Sequence, residues 1–204
     1  EFALSALGRM EVDFDAKPNT KFMNVAISVC ADADHWERAL ALLPLAKSQQ
    51  LLTLMGFNKA VSCSARHSQW EVTLQVISRI RSGYGLEPDL FTLASGLRAL
   101  SAGQRWRESL QWLEDCRSSS VEPDLLCMNV VLGCCTKAKA NNGAAALAVL
   151  KDIRESRLQP DLFTYSSMLA APWPWETALS LLREANDARV AIDRQCYAIA
   201  LQSC

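Results

Sequence analysis

The feature that most constrains the fold of this chain is an internal repeat of about 35 residues. Proline followed by Asp or Asn occurs four times, and successive pairs are 70, 35 and 37 residues apart. Tryptophan gives an independent measure, because Trp36, Trp70 and Trp106 are 34 and 36 residues apart and Trp175 follows after a further 69. Two unrelated markers therefore agree on one period. A fixed period of this length indicates a repeat architecture in which each unit packs on its neighbours.

The period divides the sequence into five full units and two partial ones, which together predict a single repeat domain over 1–204. The full units are 20–53, 54–89, 90–124, 125–161 and 162–193, and the partial units are 1–19 and 194–204. Both ends fall half-way through a unit and carry apolar residues rather than a polar cap. We therefore expect the ends to be continued by further residues or covered by a partner chain.

Each unit contains two helical patterns. In 90–124, Leu93, Leu97 and Leu100 recur at i, i+4 and i+7, and a second apolar stripe follows Gly103. Proline cannot continue a helix, so each Pro-Asp ends the second helix, and its Asp is a good N-cap for the next unit. No alternating strand pattern occurs. The sequence predicts an all-α chain of helix–turn–helix pairs, with helices of about 10–14 residues.

A unit of this length that starts with an aromatic residue and Asn and ends in Pro-Asp resembles the pentatricopeptide repeat family. The resemblance covers essentially the whole chain, with three departures. The first unit ends in Thr53 without Pro-Asp, the third has Ala94 where Asn is common, and the fifth is three residues short. The tetratricopeptide family is the alternative, but its spacing of Trp and Gly-Tyr in the first helix is absent. The resemblance implies a right-handed α-solenoid of about five to six stacked pairs.

In the family, the first helices line a concave groove for single-stranded RNA, with one nucleotide per repeat. The resemblance assigns base selection to the fifth and last residues of each unit. The pairs are Asn24 with Thr53, Asn58 with Asp89, Ala94 with Asp124, Asn129 with Asp161, and Ser166 with Asp193. Asn with Asp favours uracil in the family, and Ser with Asp favours guanine. Second residues wedge between bases, and here they are Lys21, Met55, Phe91, Leu126 and Phe163, of which all but the first are apolar.

Each of these positions also has a purely structural explanation. An Asp at the end of a unit is wanted as an N-cap whether or not RNA binds. Asn is a mediocre helix former, so its recurrence at fifth positions is harder to explain by structure alone. The four tryptophans stand at equivalent places entering the second helix, where we expect them to be packing anchors.

No catalytic, metal or cofactor site is predicted. The Pro-Cys-x-x-Cys motif that a zinc deaminase needs in addition to a His-x-Glu is missing, and so are an aspartate cluster and a Gly-rich phosphate loop. His35 and His67 fall in turns with no catalytic partner in the sequence. The eight cysteines lie mostly at positions where a small buried side chain suits helix packing, and we expect reduced thiols. No apolar run is long enough to span a membrane.

Two functions from different classes remain open. The first is an adaptor that binds organellar single-stranded RNA, which the recurring Asn and Asp support. The second is a protein-docking scaffold or structural subunit of a large organellar complex. The 21 basic and 22 acidic residues favour the second, since RNA-binding proteins are usually basic. Neither needs a cofactor, DNA or a membrane, and localisation in a mitochondrion or chloroplast is implied by the resemblance alone.

Overall fold

The computed structural model of the protein describes residues 19–67, 69–118, 121–137 and 143–202, and over these residues every regular element is a helix. The expectations about the partial unit 1–19 and about the chain's ends fall almost entirely outside this part. The helices are α1 (Thr20–Asp32), α2 (Trp36–Ser48), α3 (Leu54–Arg66), α4 (Trp70–Ser78), α5 (Ile80–Tyr84), α6 (Leu90–Ala102), α7 (Trp106–Ser118), α8 (Leu125–Lys137), α9 (Gly143–Glu155), α10 (Leu162–Leu169), α11 (Trp175–Asp187) and α12 (Arg194–Gln202).

The first helix of each unit begins directly after a capping residue. Asn19 accepts a hydrogen bond from the N–H of Phe22, and Thr53 accepts one from the N–H of Gly56. Asp89 does the same for Thr92. Such a side chain satisfies one of the N–H groups that a helix start leaves without a partner. Six helices accordingly begin at the first residues of the units, namely α1, α3, α6, α8, α10 and α12.

Two compact units make up the chain, one ending at Gly103 and the other starting at Gln104. In the first, α3 packs against both α1 and α6, and in the second, α10 packs against both α8 and α12. The fourth residue of every full unit lies in the core with at most 1% of its surface exposed: Met23, Phe57, Leu93, Met128 and Tyr165. Burying a side chain of this size contributes roughly 1.5–3 kcal/mol.

Within the described residues, α4, α5 and α10 are shorter than predicted. The second helix of 54–89 is interrupted at Arg79, which leaves α4 with 9 residues and α5 with 5. Gly85 follows α5 as its C-cap, and its φ of +67° is a left-handed conformation that favours glycine. α10 has only 8 residues, because the segment 171–174 that follows contains two prolines. The predicted length of about 10–14 residues is wrong for these helices.

The tryptophans confirm the packing prediction only in part. Trp70 lies against Gly103, where an added Cβ would be 2.6 Å from the indole. Trp175 is instead 51% exposed, so it is not a packing anchor. In that unit Trp173 packs against Gly143, at the same 2.6 Å from a hypothetical Cβ, and donates its indole N–H to the carbonyl of Met168. Because the turn is short, the tryptophan that packs between helices is Trp173, two residues before the repeated position.

None of the seven described cysteines is bridged in a disulfide, as the sequence predicted. All seven are buried, and burial raises the pKa of the Cys135 thiol to about 12. Among the described helices, none has both the length and the apolar character that crossing a bilayer requires.

Candidate functional site

The junctions between units share one backbone arrangement. At four of the described junctions the last residue of the unit is an Asp whose Oδ1 accepts the backbone N–H of the third residue in the next unit, with an N···O distance of 2.8 Å. The pairs are Asp89–Thr92, Asp124–Cys127, Asp161–Thr164 and Asp193–Cys196. The carboxylates predicted to select bases are therefore helix N-caps at all four junctions.

At the second unit, the fifth and last residues also contact each other. Nδ2 of Asn58 donates to Oδ1 and Oδ2 of Asp89 at 3.0 and 3.2 Å. The hydroxyl of Thr92, the third residue of the following unit, lies 2.7 Å from Oδ1 of Asn58. Asn58 is only 6% exposed and Thr92 is fully buried. Three residues from two consecutive units thus form one hydrogen-bonded cluster, the first Asn–Asp–Thr cluster.

The fourth unit repeats the arrangement with the same residue types. Nδ2 of Asn129 donates to Oδ1 of Asp161 at 3.2 Å, and the hydroxyl of Thr164 donates to Oδ1 of Asn129 at 2.8 Å. Asn129 is 4% exposed and Thr164 is fully buried. Asn129, Asp161 and Thr164 form the second Asn–Asp–Thr cluster.

The remaining fifth residues make other contacts or none of this kind. Asn24 pairs with Thr53, whose hydroxyl lies 2.8 Å from its Oδ1. Ala94 carries no polar side-chain group. Ser166 donates to the carbonyl of Phe163 in its own helix, at 3.0 Å, rather than to a carboxylate. The structure therefore joins the predicted base-selecting residues into Asn–Asp pairs at two units and into an Asn–Thr pair at one.

The aspartates of both clusters stay ionised at neutral pH. Burial alone would raise the pKa of Asp89, but hydrogen bonds from Thr92 and Asn58 outweigh it and hold the pKa below its ordinary value of 3.8. The pKa of Asp161 is lowered for the same reasons, with Thr164 and Asn129 as the donors. Both carboxylates are thus acceptors only.

A thiol takes the place of the threonine hydroxyl at the other two Asp-capped junctions. Burial and the carboxylate of Asp124 together raise the pKa of Cys127 to about 12. The pKa of Cys196 is raised to about 11 by burial and by Asp193. Both cysteines are neutral, and a thiol is a weaker donor than a hydroxyl.

Apolar side chains at the second positions point into solvent. Met55, Phe91, Leu126 and Phe163 are between 50% and 68% exposed, although each belongs to a helix with a well-buried apolar face. Lys21, at the same position in the first unit, is also exposed. The exposure of these four large side chains has no explanation in the packing of the helices that carry them.

In the second compact unit one of these side chains, that of Phe163, borders a groove of about 600 Å³. Phe163, Ser166, Asp161 and Asp193 line it, so three kinds of predicted site residue meet there, and Lys137 adds a positive charge. The groove contains the second, fifth and last positions of unit 162–193 together with the last position of the preceding unit.

His67 has partners that sequence reasoning did not find. Its Nε2 lies 3.5 Å from Oδ1 of Asp34, and the ligand atoms of Asp34, Cys63 and His67 all lie within 4.8 Å of one another. Arg66 is in the same place, with Nη2 3.2 Å from the Asp34 carboxylate and 2.9 Å from the carbonyl of Ala31. Burial raises the pKa of Cys63, so the thiol is neutral. The guanidinium already supplies the positive charge that a metal ion would bring.

Comparisons with known proteins agree on one kind of fold. No protein-family model matches the chain. Over 137 residues, 67% of this chain, it is 28% identical to the chloroplastic pentatricopeptide repeat-containing protein 10 of Zea mays, and it spans only 17% of that relative's length. The crystal structure of maize PPR10 in complex with an 18-nt psaJ RNA element matches 99% of this chain and 29% of that chain, with a TM-score of 0.69 and 22% identity.

A second solved structure gives the same result. The PPR domain of Arabidopsis thaliana protein-only RNase P 1, in complex with tRNA, matches 87% of this chain and 94% of that chain, with a TM-score of 0.72 and 13% identity. These likenesses confirm the predicted fold class, an all-helical repeat protein of the solenoid type. Repeat length, sequence similarity and fold together make the chain similar to pentatricopeptide repeat proteins.

Proposed function

We propose that this chain binds single-stranded RNA without catalysing a reaction, and that each Asn–Asp pair selects one base. The observation that carries the proposal is the pairing of a fifth-position Asn with a last-position Asp in two units, beside apolar side chains left in solvent. The maize protein to which this chain is similar has a known structure in complex with an RNA element. We infer uracil as the base favoured at both pairs.

Each kind of residue has a separate task in this proposal. The Asn amide donates to and accepts from the Watson–Crick edge of a base, and the Asp holds the amide in place. The exposed second residues stack between bases, which contributes roughly 1–3 kcal/mol per base without regard to sequence. Lys137 in the groove near Phe163 pairs with a phosphate. Because the formal charge is −1, we expect a shallower dependence of affinity on salt than a basic protein shows.

Substitution of the two asparagines tests the proposal. Asn58→Ala and Asn129→Ala should each relax the preference for uridine over cytidine oligonucleotides by roughly 1 kcal/mol, because one net hydrogen bond to the base is lost. Asn186→Ala is the matched control, since Asn186 is exposed on α11 outside the junctions. If the parent and both variants bind uracil-rich and random RNA equally weakly, the proposal fails.

A protein-docking scaffold is the second candidate, and the exposed Met55, Phe91, Leu126 and Phe163 favour it as much as they favour base stacking. The two functions differ in what the native protein carries. Crosslinking in an organelle, where we propose the protein resides, followed by identification of the bound material, distinguishes them. Recovery of a defined set of polypeptides without RNA would replace the first proposal by the second.

A further inference from the structure

We propose that Thr92 and Thr164 are positioning residues that set which way the recognition amides of Asn58 and Asn129 face. This inference rests on the proposed RNA binding and extends it, because it assigns part of the base selectivity to a residue of the following unit. Neither threonine is a fifth or last residue, and both are fully buried, so neither touches RNA itself. Each acts through the asparagine whose Oδ1 it contacts, at 2.7 Å for Thr92 and 2.8 Å for Thr164.

The orientation of the amide matters because an asparagine amide has a donor end and an acceptor end of nearly the same shape. Uracil presents a donor at N3 and an acceptor at position 4, and cytosine presents an acceptor at N3 and a donor at position 4. Turning the amide over exchanges its two ends and so exchanges the base it fits. An asparagine that could turn over would accept either pyrimidine. Selectivity therefore requires contacts that hold one orientation.

The hydrogen-bond network around Asn58 permits only one orientation. The Asp89 carboxylate can only accept, so it must face the amide N–H, and the carbonyl of Asn58 must face Thr92. The Thr92 hydroxyl accepts the backbone N–H of Asp89 at 3.3 Å, and its own proton has two acceptors, the carbonyl of Asn58 at 2.7 Å and Oδ1 of Asp89 at 2.9 Å, of which the Asn58 carbonyl is the nearer. If the amide turned over, its carbonyl oxygen would face a carboxylate in a buried site, which is strongly unfavourable.

The second cluster has the same arrangement: the N–H of Asp161 donates to the hydroxyl of Thr164 at 3.1 Å, and that hydroxyl lies 2.8 Å from Oδ1 of Asn129 and 2.9 Å from Oδ1 of Asp161. In both clusters the asparagine keeps one N–H and one carbonyl lone pair for a base, because the adjacent oxygens of one carboxylate need only one N–H. The carboxylate holds the donor end and the threonine holds the acceptor end. Two contacts on opposite ends fix an amide more firmly than either contact alone.

The junction after the first unit lacks this arrangement. Asn24 faces the hydroxyl of Thr53, and a hydroxyl can donate or accept, so either orientation of that amide can be satisfied. The third residue of the next unit is Gly56, and a Cβ there would lie 2.7 Å from Oδ1 of Asn24, which leaves no room for a threonine. The third residues after Ala94 and Ser166 are cysteines. Threonine occupies the third position only where an Asn–Asp pair precedes it, among the junctions described.

The test replaces the threonine hydroxyl and leaves the asparagine in place. Thr92→Val and Thr164→Val keep the shape of the side chain and remove the donor, and each should reduce the ratio of uridine-octamer to cytidine-octamer affinity about fivefold. Because every position of a homopolymer carries the same base, the result does not depend on the register in which the strand binds. Thr92→Ser should restore the parent ratio. Thr92→Cys provides a second variant that should fold, since the chain itself carries Cys127 and Cys196 at this position, and it should lose selectivity like the valine variant.

Thr73→Val is the matched control. Thr73 is also fully buried and its hydroxyl contacts Ser64 at 2.9 Å and the carbonyl of Gln69 at 2.7 Å, but it lies far from any junction along the sequence. It should lower the melting temperature as the Thr92 variant does and leave the affinity ratio unchanged. Equal loss of the ratio in Thr73→Val would show that general destabilisation, not positioning, causes the effect.

Nuclear magnetic resonance of the RNA-free protein separates this inference from the proposed function. The side-chain amide signals of Asn58 and Asn129 should shift in Thr92→Val and Thr164→Val respectively, and not in Thr73→Val. A parent that prefers uridine while the valine variants keep both the ratio and the amide signals would overturn the positioning role. A parent without any base preference, with shifted amide signals in the variants, would instead overturn the proposed RNA selectivity and leave only a structural contact.

Discussion

The junctions before and after unit 162–193 differ in what the last-residue Asp does. One Asp caps a helix and holds a fifth residue, and the other only caps a helix. At the preceding junction, Asp161 caps Thr164 and holds Asn129. At the following junction, Asp193 caps Cys196 with the same N···O distance of 2.8 Å, while Ser166 donates to its own helix. Capping is therefore common to both junctions, and the pairing with a fifth residue is an addition made only where Asn and Thr are present.

The strongest test of this difference removes each aspartate in turn. Asp161→Ala should lower the free energy of unfolding by about 2–3 kcal/mol, because it removes a cap and leaves the buried Asn129 and Thr164 short of partners. Asp193→Ala should cost only about 1 kcal/mol, the contribution of a cap. Urea denaturation of both variants and the parent measures the two losses. Equal losses would mean that the contact with Asn129 adds nothing to stability.

The converse test transfers the cluster residues to a junction that lacks them. Ser166→Asn combined with Cys196→Thr gives the third junction of the second compact unit the residues of an Asn–Asp–Thr cluster. Ser166, Asp193 and Cys196 line one groove, so the larger amide has space there. We expect the free energy of unfolding to rise by about 1 kcal/mol, one net hydrogen bond, and uridine selectivity to increase. A less stable double variant would show that the Asn–Asp–Thr geometry needs more than these three residues.

Acid should weaken the two clusters by protonating their aspartates. The pKa of Asp161 is lowered in the folded protein, so its charged form contributes stability that is complete above its ordinary pKa of 3.8 and is lost as the pH falls through the folded value. The parent should therefore lose more stability than Asp161→Asn between about pH 5 and pH 3. Urea midpoints at both pH values measure the difference. Parallel losses in the two proteins would contradict the lowered pKa.

The smallest effect is expected from Cys196→Thr alone. A hydroxyl at this place can still interact with Asp193, but Ser166 offers no amide carbonyl to receive it. The free energy of unfolding should stay within about 0.5 kcal/mol of the parent, as for a substitution that creates no new contact. The same denaturation measurement serves, with the double variant as the comparison. A gain as large as that of the double variant would assign the stabilisation to the threonine cap rather than to the amide.

Neighbouring residues in the sequence are sufficient to predict where the helices start, but they are not sufficient to predict how the site is assembled. Asp89 and Asp161 follow prolines and precede apolar stripes, and a cap acts within one turn, so its effect can be predicted from neighbouring residues. The burial of Asn58 and Asn129 depends on threonines 34 and 35 residues later, which only the packing of consecutive first helices brings together. The recurrence of Thr92 and Thr164 at one position was the available signal, and it reads as ordinary capping.

Packing between neighbours also explains one wrong expectation and one contact that the sequence did not indicate. Trp175 is at the repeated tryptophan position, yet Trp173 occupies the space beside Gly143 because the turn before α11 is short. His67 is isolated in the sequence and meets Asp34 only because the turns of consecutive units stack. In both cases the deciding neighbour lies about one repeat away along the chain.

The Asn–Asp–Thr clusters have a consequence for how such a chain can be recombined. A cluster that takes Asn58 and Asp89 from one helical pair and Thr92 from the next does not have the same boundaries as the pair. Shuffling whole helical pairs, cut where the first helix begins, would separate the amide from the hydroxyl that orients it. The recombined chain would then have mixed base preferences. The exchangeable cassette runs instead from before Asn58 to beyond Thr92, out of phase with the helical hairpins. Gene fusions or engineered arrays that respect this offset should carry their base preference with them, and arrays cut at hairpin boundaries should not.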